Sequence, residues 1–130
     1  MQIETRQHAD ATVAAVTGRI DHQSAAQFEA ELMPLLGQAG AGNGALVLDF
    51  SGVDYISSVG LRVLMIAARQ MRESQAQLLV AALQVVVAEI FAISRFDRIL
   101  TVTATLDDAL ALCSPAALAD YRSARAAPAP

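Results

Sequence analysis

The chain has 130 residues, with thirteen acidic and nine basic side chains and a single cysteine. This charge balance argues against nucleic acid as the main partner, because backbone phosphates bind clustered positive charge. The lone Cys113 excludes an internal disulfide, and its apolar surroundings predict a small buried hydrophobe. No apolar segment of about 20 residues and no leader-like start is present, which predicts one cytoplasmic domain without direct membrane insertion.

The first elements predict a β-hairpin. Residues 2–8 and 11–20 alternate or are rich in β-branched side chains, and they flank a two-residue turn. Gly18 indicates a bulge or the end of the second strand. His8 and His22 lie near strand ends among polar residues, which predicts surface positions for both histidines.

A helix is predicted to follow the hairpin. Ser24 and Gln27 have the spacing of a capping box, and the helical apolar stripe after them runs to the glycine-rich segment 37–44. That segment lacks the spacing of a phosphate-binding loop and precedes a strand, so it predicts only a flexible connection.

The middle of the chain predicts a buried strand that leads into an amphipathic helix. Residues 45–49 are almost wholly apolar, as in a strand covered by helices, and residues 51–52 indicate a turn. Ser57 and Ser58 occupy N-cap positions before a helix that continues to residue 73. The buried stripe predicted for this helix consists of Leu61, Leu64, Met65, Ala68 and Met71.

The remaining elements alternate between strand and helix. Residues 78–82 and 99–103 predict strands, and residues 84–94 predict a helix, although three consecutive valines within it favour a strand. Thr105 and Asp108 open a further helix. This order predicts an α/β fold, with a mixed sheet of about five strands and about four helices.

The domain is predicted to cover residues 1–115. Residues 116–130 form a C-terminal extension, in which a short helix over 116–126 precedes a disordered segment at 127–130.

Ser58 is the candidate modification site. The first N–H groups of a helix are unpaired and its N-terminus carries partial positive charge, so a phosphate on Ser58 would be stabilised there. Arg62 lies one turn later and could contact the phosphate. Spacing alone favours an ordinary helix cap at Ser58, since serine is among the commonest N-cap residues.

The string of residues 46–62 resembles the signature of STAS domains in the anti-sigma factor antagonist family. That signature is an apolar strand, Asp-x-Ser/Thr, a short loop, and Ile/Met-Asp/Ser-Ser-x-Gly-Leu. The residues that match it are Asp49, Ser51, Ile56, Ser57, Ser58, Gly60 and Leu61. Ser57 stands where many members carry an acidic residue, and Val59 where many carry Ser or Thr.

The resemblance implies a binding protein that is not an enzyme and needs no cofactor or metal. The unphosphorylated form would bind an anti-sigma factor with serine kinase activity. That kinase would phosphorylate Ser58, with Ser57 as the second candidate acceptor, and a PP2C-type phosphatase would remove the phosphate. The implied partner-binding residues, which include an outer helix face, are Asp49, Ser51, Asp54, Ser57, Val59, Arg62, Ile66 and Arg69.

Two alternatives remain open. One is a STAS subunit of a lipid or anion transport assembly, in which the same surface binds an ATPase or membrane protein without obligatory phosphorylation. The other is a small hydrolase that uses Ser58 with a histidine and an aspartate, although no nucleophile-elbow motif is present.

Overall fold

The computed structural model describes residues 1–126 and contains one five-stranded mixed sheet. The strands lie in chain order across it, with β1 antiparallel to β2 and every later pair parallel. This arrangement confirms the predicted α/β fold. The strands are β1 (Gln2–His8), β2 (Ala11–Ile20), β3 (Ala45–Ile56), β4 (Gln77–Ala81) and β5 (Thr101–Thr103).

Five α-helices connect or follow the strands in the described part of the chain: the four predicted for the domain and the short helix predicted for the C-terminal segment. A short π-helix (Ala39–Asn43) extends the first of them, and a 3-10 turn (Phe96–Arg98) precedes β5. The α-helices are α1 (Ala25–Gln38), α2 (Ser58–Glu73), α3 (Val85–Ile93), α4 (Leu106–Cys113) and α5 (Pro115–Ala126).

The sheet is covered on both faces. Helices α1, α2 and α3 cover one face, where three phenylalanines, Phe28, Phe50 and Phe91, are fully buried among aliphatic side chains. Helices α4 and α5 cover the other face over a smaller cluster that is rich in alanine. Burial on both faces explains why residues 45–48 of β3 are uniformly apolar.

Strand β3 is longer than predicted, and the prediction of a turn at residues 51–52 is wrong. Parallel pairing with β2 continues through two register shifts, so that Thr17 pairs with Gly52 and Arg19 with Tyr55. Each shift adds one residue to β3 relative to β2, as in a bulge. Gly18 lies at the second shift with a φ of 95°, which confirms the predicted bulge.

Two helix details also differ from the predictions. Ser24 precedes α1, but its hydroxyl makes no helix-capping bond and instead donates to the carbonyl of Arg19, because the preceding loop folds back on β2. Met65 is 38% exposed, since the buried arc of α2 extends toward Val63 and Ala67. Helical periodicity alone leaves open which flank of a stripe is buried.

The C-terminal segment predicted as an extension forms α5, which packs on the sheet. Ala117 is fully buried, and His8 Nδ1 donates to Asp120 at 2.9 Å. His8 is therefore buried, contrary to the predicted surface position, because α5 covers it. His22 is exposed, as predicted.

The predicted disorder at residues 127–130 lies outside the described residues. Within residues 1–126, no helix has the length and apolar character that a membrane crossing requires.

Candidate functional site

The two serines at the start of α2 have different environments. Ser57 is the N-cap, with an extended backbone and a side chain that is only 4% exposed. Its hydroxyl accepts a hydrogen bond from the N–H of Gly60 at 3.2 Å, and its own N–H donates to the carbonyl of Ile20 at 2.8 Å. Ser57 thus satisfies one unpaired N–H of the helix and joins α2 to the end of β2.

Gly60 allows the helix to begin this close to the strands. A Cβ atom at this position would lie 2.7 Å from a methyl carbon of Ile20 and 2.8 Å from a side-chain carbon of Ile56. Both isoleucines are buried, so neither can move away without disturbing the core. The glycine in the sequence motif is therefore explained by close packing at the first turn of α2.

Ser58 is the first residue of α2, and its side chain is exposed. Because Ser57 caps the N–H of Gly60, the N–H groups of Ser58 and Val59 remain at the helix end to interact with an anion. Arg62 is exposed one turn later. A phosphate on the Ser58 hydroxyl would add negative charge where the helix dipole stabilises it.

The exposed side of α2 continues from Ser58 along the helix. Ile66 is 38% exposed between two exposed arginines, Arg62 and Arg69, and Val59 is half-buried. Met65 adds a second exposed apolar side chain, which the predicted stripe had placed in the core. We call this set the α2 outer surface: Ser58, Val59, Arg62, Met65, Ile66 and Arg69.

The loop between β2 and α1 lies beside the start of α2, a position that was not predicted from the sequence. The hydrogen bond from Ser57 to Ile20 brings the two together. The Asp21 carboxylate accepts hydrogen bonds from the backbone N–H groups of Gln23 and Ser24, and the Ser24 backbone bond is the main cause that lowers the pKa of Asp21. An Asx-turn pattern, Asp followed by Ser three residues later, was the available signal.

An aromatic contact borders the same loop. The Arg19 guanidinium carbon lies 4.4 Å from the centre of the Tyr55 ring, within the range of a cation–π interaction. Arg19 and Tyr55 are cross-strand neighbours in β2 and β3. Asp54, one of the predicted partner-binding residues, is exposed at the adjacent register shift in β3.

Two predicted site residues lie away from the α2 outer surface. Asp49 is half-buried on the opposite face of the sheet, in a cleft of about 340 Å³ beneath α5 that Val13, Ala15 and Tyr121 also line. Its carboxylate accepts a hydrogen bond from the N–H of Ser51 at 3.0 Å. Ser51 is exposed, and its carbonyl accepts a bond from the Gln84 side chain, which fixes the start of α3 against β3.

Helix α3 presents further apolar side chains to solvent. Val85, Val86 and Ile93 are 74%, 55% and 84% exposed, while Val87 and Phe91 are buried against the core. The valine run is therefore split by the helix between a buried and an exposed side. Among the described residues, no three His, Cys, Asp or Glu side chains lie together in a way that could hold a metal ion.

The fold and site define a small α/β domain in which an exposed serine begins the second helix. A family model described as the STAS domain matches residues 2–109, and the chain belongs to this family. Its relatives carry a more specific name. The protein is 38% identical over 99 residues to a Bordetella bronchiseptica protein named "Putative anti-sigma factor antagonist BtrV", an alignment that covers 76% of this chain and 83% of the relative.

Solved structures agree with this assignment. The chain resembles an anti-sigma factor antagonist from Mycobacterium paratuberculosis, with a TM-score of 0.76 and 25% identity over 86% of this chain and 92% of that one. It also shares the fold of a Thermotoga maritima protein named "putative anti-sigma factor antagonist", with a TM-score of 0.78 and 17% identity over 85% and 93% of the two chains. By homology, the chain is a STAS domain of the anti-sigma factor antagonist family.

Proposed function

We propose that this protein is an anti-sigma factor antagonist whose binding is switched by phosphorylation of Ser58. In its unphosphorylated form it binds an anti-sigma factor that has serine kinase activity, through the α2 outer surface. The partner then transfers a phosphoryl group to Ser58 and the complex dissociates. A PP2C-type phosphatase hydrolyses the phosphoserine and restores the binding form. The family membership and the relatives' names support the antagonist role.

The choice of Ser58 depends on the availability of its hydroxyl. Ser57 is buried, and its oxygen already accepts the hydrogen bond that caps α2. Ser58 is exposed at the first helical position. A kinase could reach the hydroxyl of Ser58 without opening the helix, whereas a reaction at Ser57 would first have to break the cap. This difference favours Ser58 over Ser57 as the acceptor.

The phosphoryl transfer requires little from this chain. The oxygen of Ser58 attacks the γ-phosphorus of the partner's ATP, the bond to the ADP oxygen breaks, and the hydroxyl proton passes to a base on the partner. ATP, magnesium and the base belong to the kinase. This protein supplies the hydroxyl and the surface that positions it.

Phosphorylation should act at the interface and leave the fold intact. Negative charge at an exposed helix N-terminus stabilises the helix by about 0.3 to 1 kcal/mol, so α2 should persist after modification. The added phosphate places about two negative charges at the edge of the α2 outer surface. Repulsion and steric exclusion of the bound partner then explain release.

Intact-mass spectrometry of the protein isolated from its native cells tests the acceptor. We expect the wild type to carry one phosphate in part of the population and the Ser58→Ala variant to carry none. Ser57→Ala is the matched control and should still be phosphorylated. Full phosphorylation of Ser58→Ala would reject Ser58. A lack of phosphate under all growth conditions, together with co-purification of a transporter, would favour the transport-assembly alternative.

Binding to the partner tests the surface. Ile66→Asp places a charge in the centre of the α2 outer surface and should weaken the complex about tenfold or more, because central apolar contacts dominate such interfaces. Ile93→Asp makes the same change on the exposed side of α3 and serves as the control. The measurement is capture of the kinase from native cells by each unphosphorylated variant, followed by titration with the identified kinase.

The Ser58→Asp variant provides an independent test of the switch. It should weaken partner binding, because it puts a charge at the edge of the interface. Ser58→Ala should retain binding. Equal affinities for Ser58→Asp and Ser58→Ala would contradict the electrostatic switch. For the surface test, equal affinities for Ile66→Asp and the wild type would show that the partner binds elsewhere.

A further inference from the structure

The outer edge of β1 is a second candidate interaction surface, separate from the site at α2. β1 is the terminal strand of the sheet and pairs only with β2 within the described chain. Its side chains at positions 2 and 4–7 are exposed. An uncovered edge strand of this length presents unpaired backbone N–H and C=O groups to any strand that can align with it.

The hairpin turn determines which backbone groups are free. His8 pairs with Ala11 across the two-residue turn, so these two residues exchange hydrogen bonds, and the pattern alternates along the antiparallel ladder. The backbone N–H and C=O groups that point toward β2 therefore belong to Arg6, Glu4 and Gln2. The free N–H and C=O groups belong to the residues between them, which are Ile3, Thr5 and Gln7.

A second copy of β1 fits this edge in an antiparallel arrangement centred on Thr5. Thr5 then faces Thr5 of the second copy, and Ile3 faces Gln7, so each of these pairs exchanges the free backbone hydrogen bonds. Glu4 faces Arg6 of the second copy in the intervening pair, where opposite side chains are closest. The symmetry produces this opposite-charge contact twice.

The charges also select this register over its neighbours. A shift that centres the pair on Glu4 places the two Glu4 carboxylates opposite each other, and one centred on Arg6 places two guanidinium groups together. Both alternatives keep the backbone hydrogen bonds possible, but like charges directly opposite are destabilising. Among the described residues, neither Glu4 nor Arg6 forms a salt bridge within the chain, so both remain available.

We propose that the protein forms a two-fold symmetric homodimer in which two β1 strands join the sheets into one. Charged residues on an edge strand usually prevent edge-to-edge pairing. Here the order Glu4, Thr5, Arg6 makes the edge self-complementary, so the same charges that oppose other strands favour a second copy of this chain.

The dimer would leave both phosphorylation sites accessible. The two-fold axis of an antiparallel strand pair is perpendicular to the sheet, so the parallel strands of the two copies run in opposite directions. The α2 N-termini therefore lie at opposite ends of the joined sheet. Each copy could bind one partner molecule at the same time, which makes the dimer bivalent.

Sedimentation velocity of the full chain over a wide concentration range tests the dimer. We expect the wild type to shift from the 13.7 kDa monomer toward twice that mass. Glu4→Arg and Arg6→Glu should each raise the dissociation constant about tenfold or more, because each replaces two attractive contacts by repulsive ones. The double variant Glu4→Arg/Arg6→Glu restores the opposite-charge pairs and should dimerise like the wild type.

Thr5→Pro tests the backbone pairing independently of charge. The Thr5 N–H points away from β2, so proline removes no bond within the chain but blocks the central pair of the dimer. Thr5→Val keeps the N–H and is the control. Circular dichroism checks that every variant is folded. A wild type that stays monomeric at the highest attainable concentration, or a dimer that none of these changes weakens, would overturn the proposal.

Discussion

The two faces of the sheet are packed by different means. Beneath α1, α2 and α3, the Phe50 ring contacts the rings of Phe28 and Phe91 edge-on, each at a centroid distance of 6.5 Å. Beneath α4 and α5, the buried side chains are smaller and polar bonds join the elements. His8 donates such a bond to Asp120, Ser114 to Asp10, and Arg122 to Asp107.

Because of this difference, α2, whose start forms the candidate site, and α5, which covers the other face, are held on the sheet by different kinds of contact. α2 rests on the larger of the two apolar clusters, and Gly60 and Leu61 at its start are buried. α5 lies beyond residue 109, where the family match ends, and is held by a few apolar contacts and directional polar bonds. Changes on the α5 face should therefore cost less stability and leave the α2 outer surface intact.

The largest expected effect comes from the aromatic core. Phe50→Ala removes a fully buried ring between two other rings and should lower the free energy of unfolding by about 3 to 5 kcal/mol. Urea denaturation followed by circular dichroism measures it. A loss below about 1 kcal/mol would mean that the core collapses around the vacant space and that this face is no more critical than the other.

A smaller effect is expected at the junction of α4 and α5. The buried Ser114 hydroxyl accepts a bond from the N–H of Ala117, which caps α5, and donates to the Asp10 carboxylate. Ser114→Ala should cost about 1 to 2 kcal/mol. Hydrogen exchange should accelerate in α5 and remain unchanged in α2. Equal acceleration in both helices would show that the two faces are not independent.

The sequence predicted the element order because hydrophobic periodicity and turn residues are local signals. The hairpin, the bulge at Gly18 and the cap at Thr105, whose hydroxyl accepts from the N–H of Asp108, all follow from such signals. The continuation of β3 to Ile56 did not, because it depends on pairing with β2. The burial of His8 depends on α5, which lies more than one hundred residues away.

The site shows the same division. The motif placed a serine at the start of α2, and the exposed Ile66 between two arginines follows from helical periodicity. Sequence spacing could not distinguish the buried cap Ser57 from the exposed Ser58, because a one-residue shift of the helix start exchanges their roles. Sequence spacing also could not show that Asp49 faces α5. The apolar residues before Asp49 do not alternate with polar ones, so they do not indicate which side chains point to which face of the sheet.

The two serines offer a matched comparison at the start of α2. Ser57→Ala removes the cap and should lower the free energy of unfolding by about 1 kcal/mol. Ser58→Ala changes an exposed side chain and should stay within about 0.5 kcal/mol of the wild type. Thermal denaturation monitored by circular dichroism measures both. The reverse order would mean that Ser58 is the cap in solution.

The smallest expected effect concerns the polar loop beside α2. Backbone hydrogen bonds, chiefly from Ser24, hold the pKa of Asp21 below its ordinary value of 3.8. The folded state therefore favours the carboxylate. Its contribution to stability is present above that ordinary value and disappears as the pH falls through the lowered pKa. Because Asp21 is only half-buried and solvent screens its charge, the contribution should be small.

Asp21→Asn tests whether the charge of Asp21 stabilises this loop. The asparagine keeps an acceptor oxygen but has no charge that a change of pH could remove. The difference in denaturation midpoint between the wild type and Asp21→Asn should be constant near neutrality and shrink below about pH 3.8, since protonation makes the two side chains alike. A difference that persists in acid would mean that the shape of the Asx turn, and not the charge of Asp21, stabilises the loop beside the start of α2.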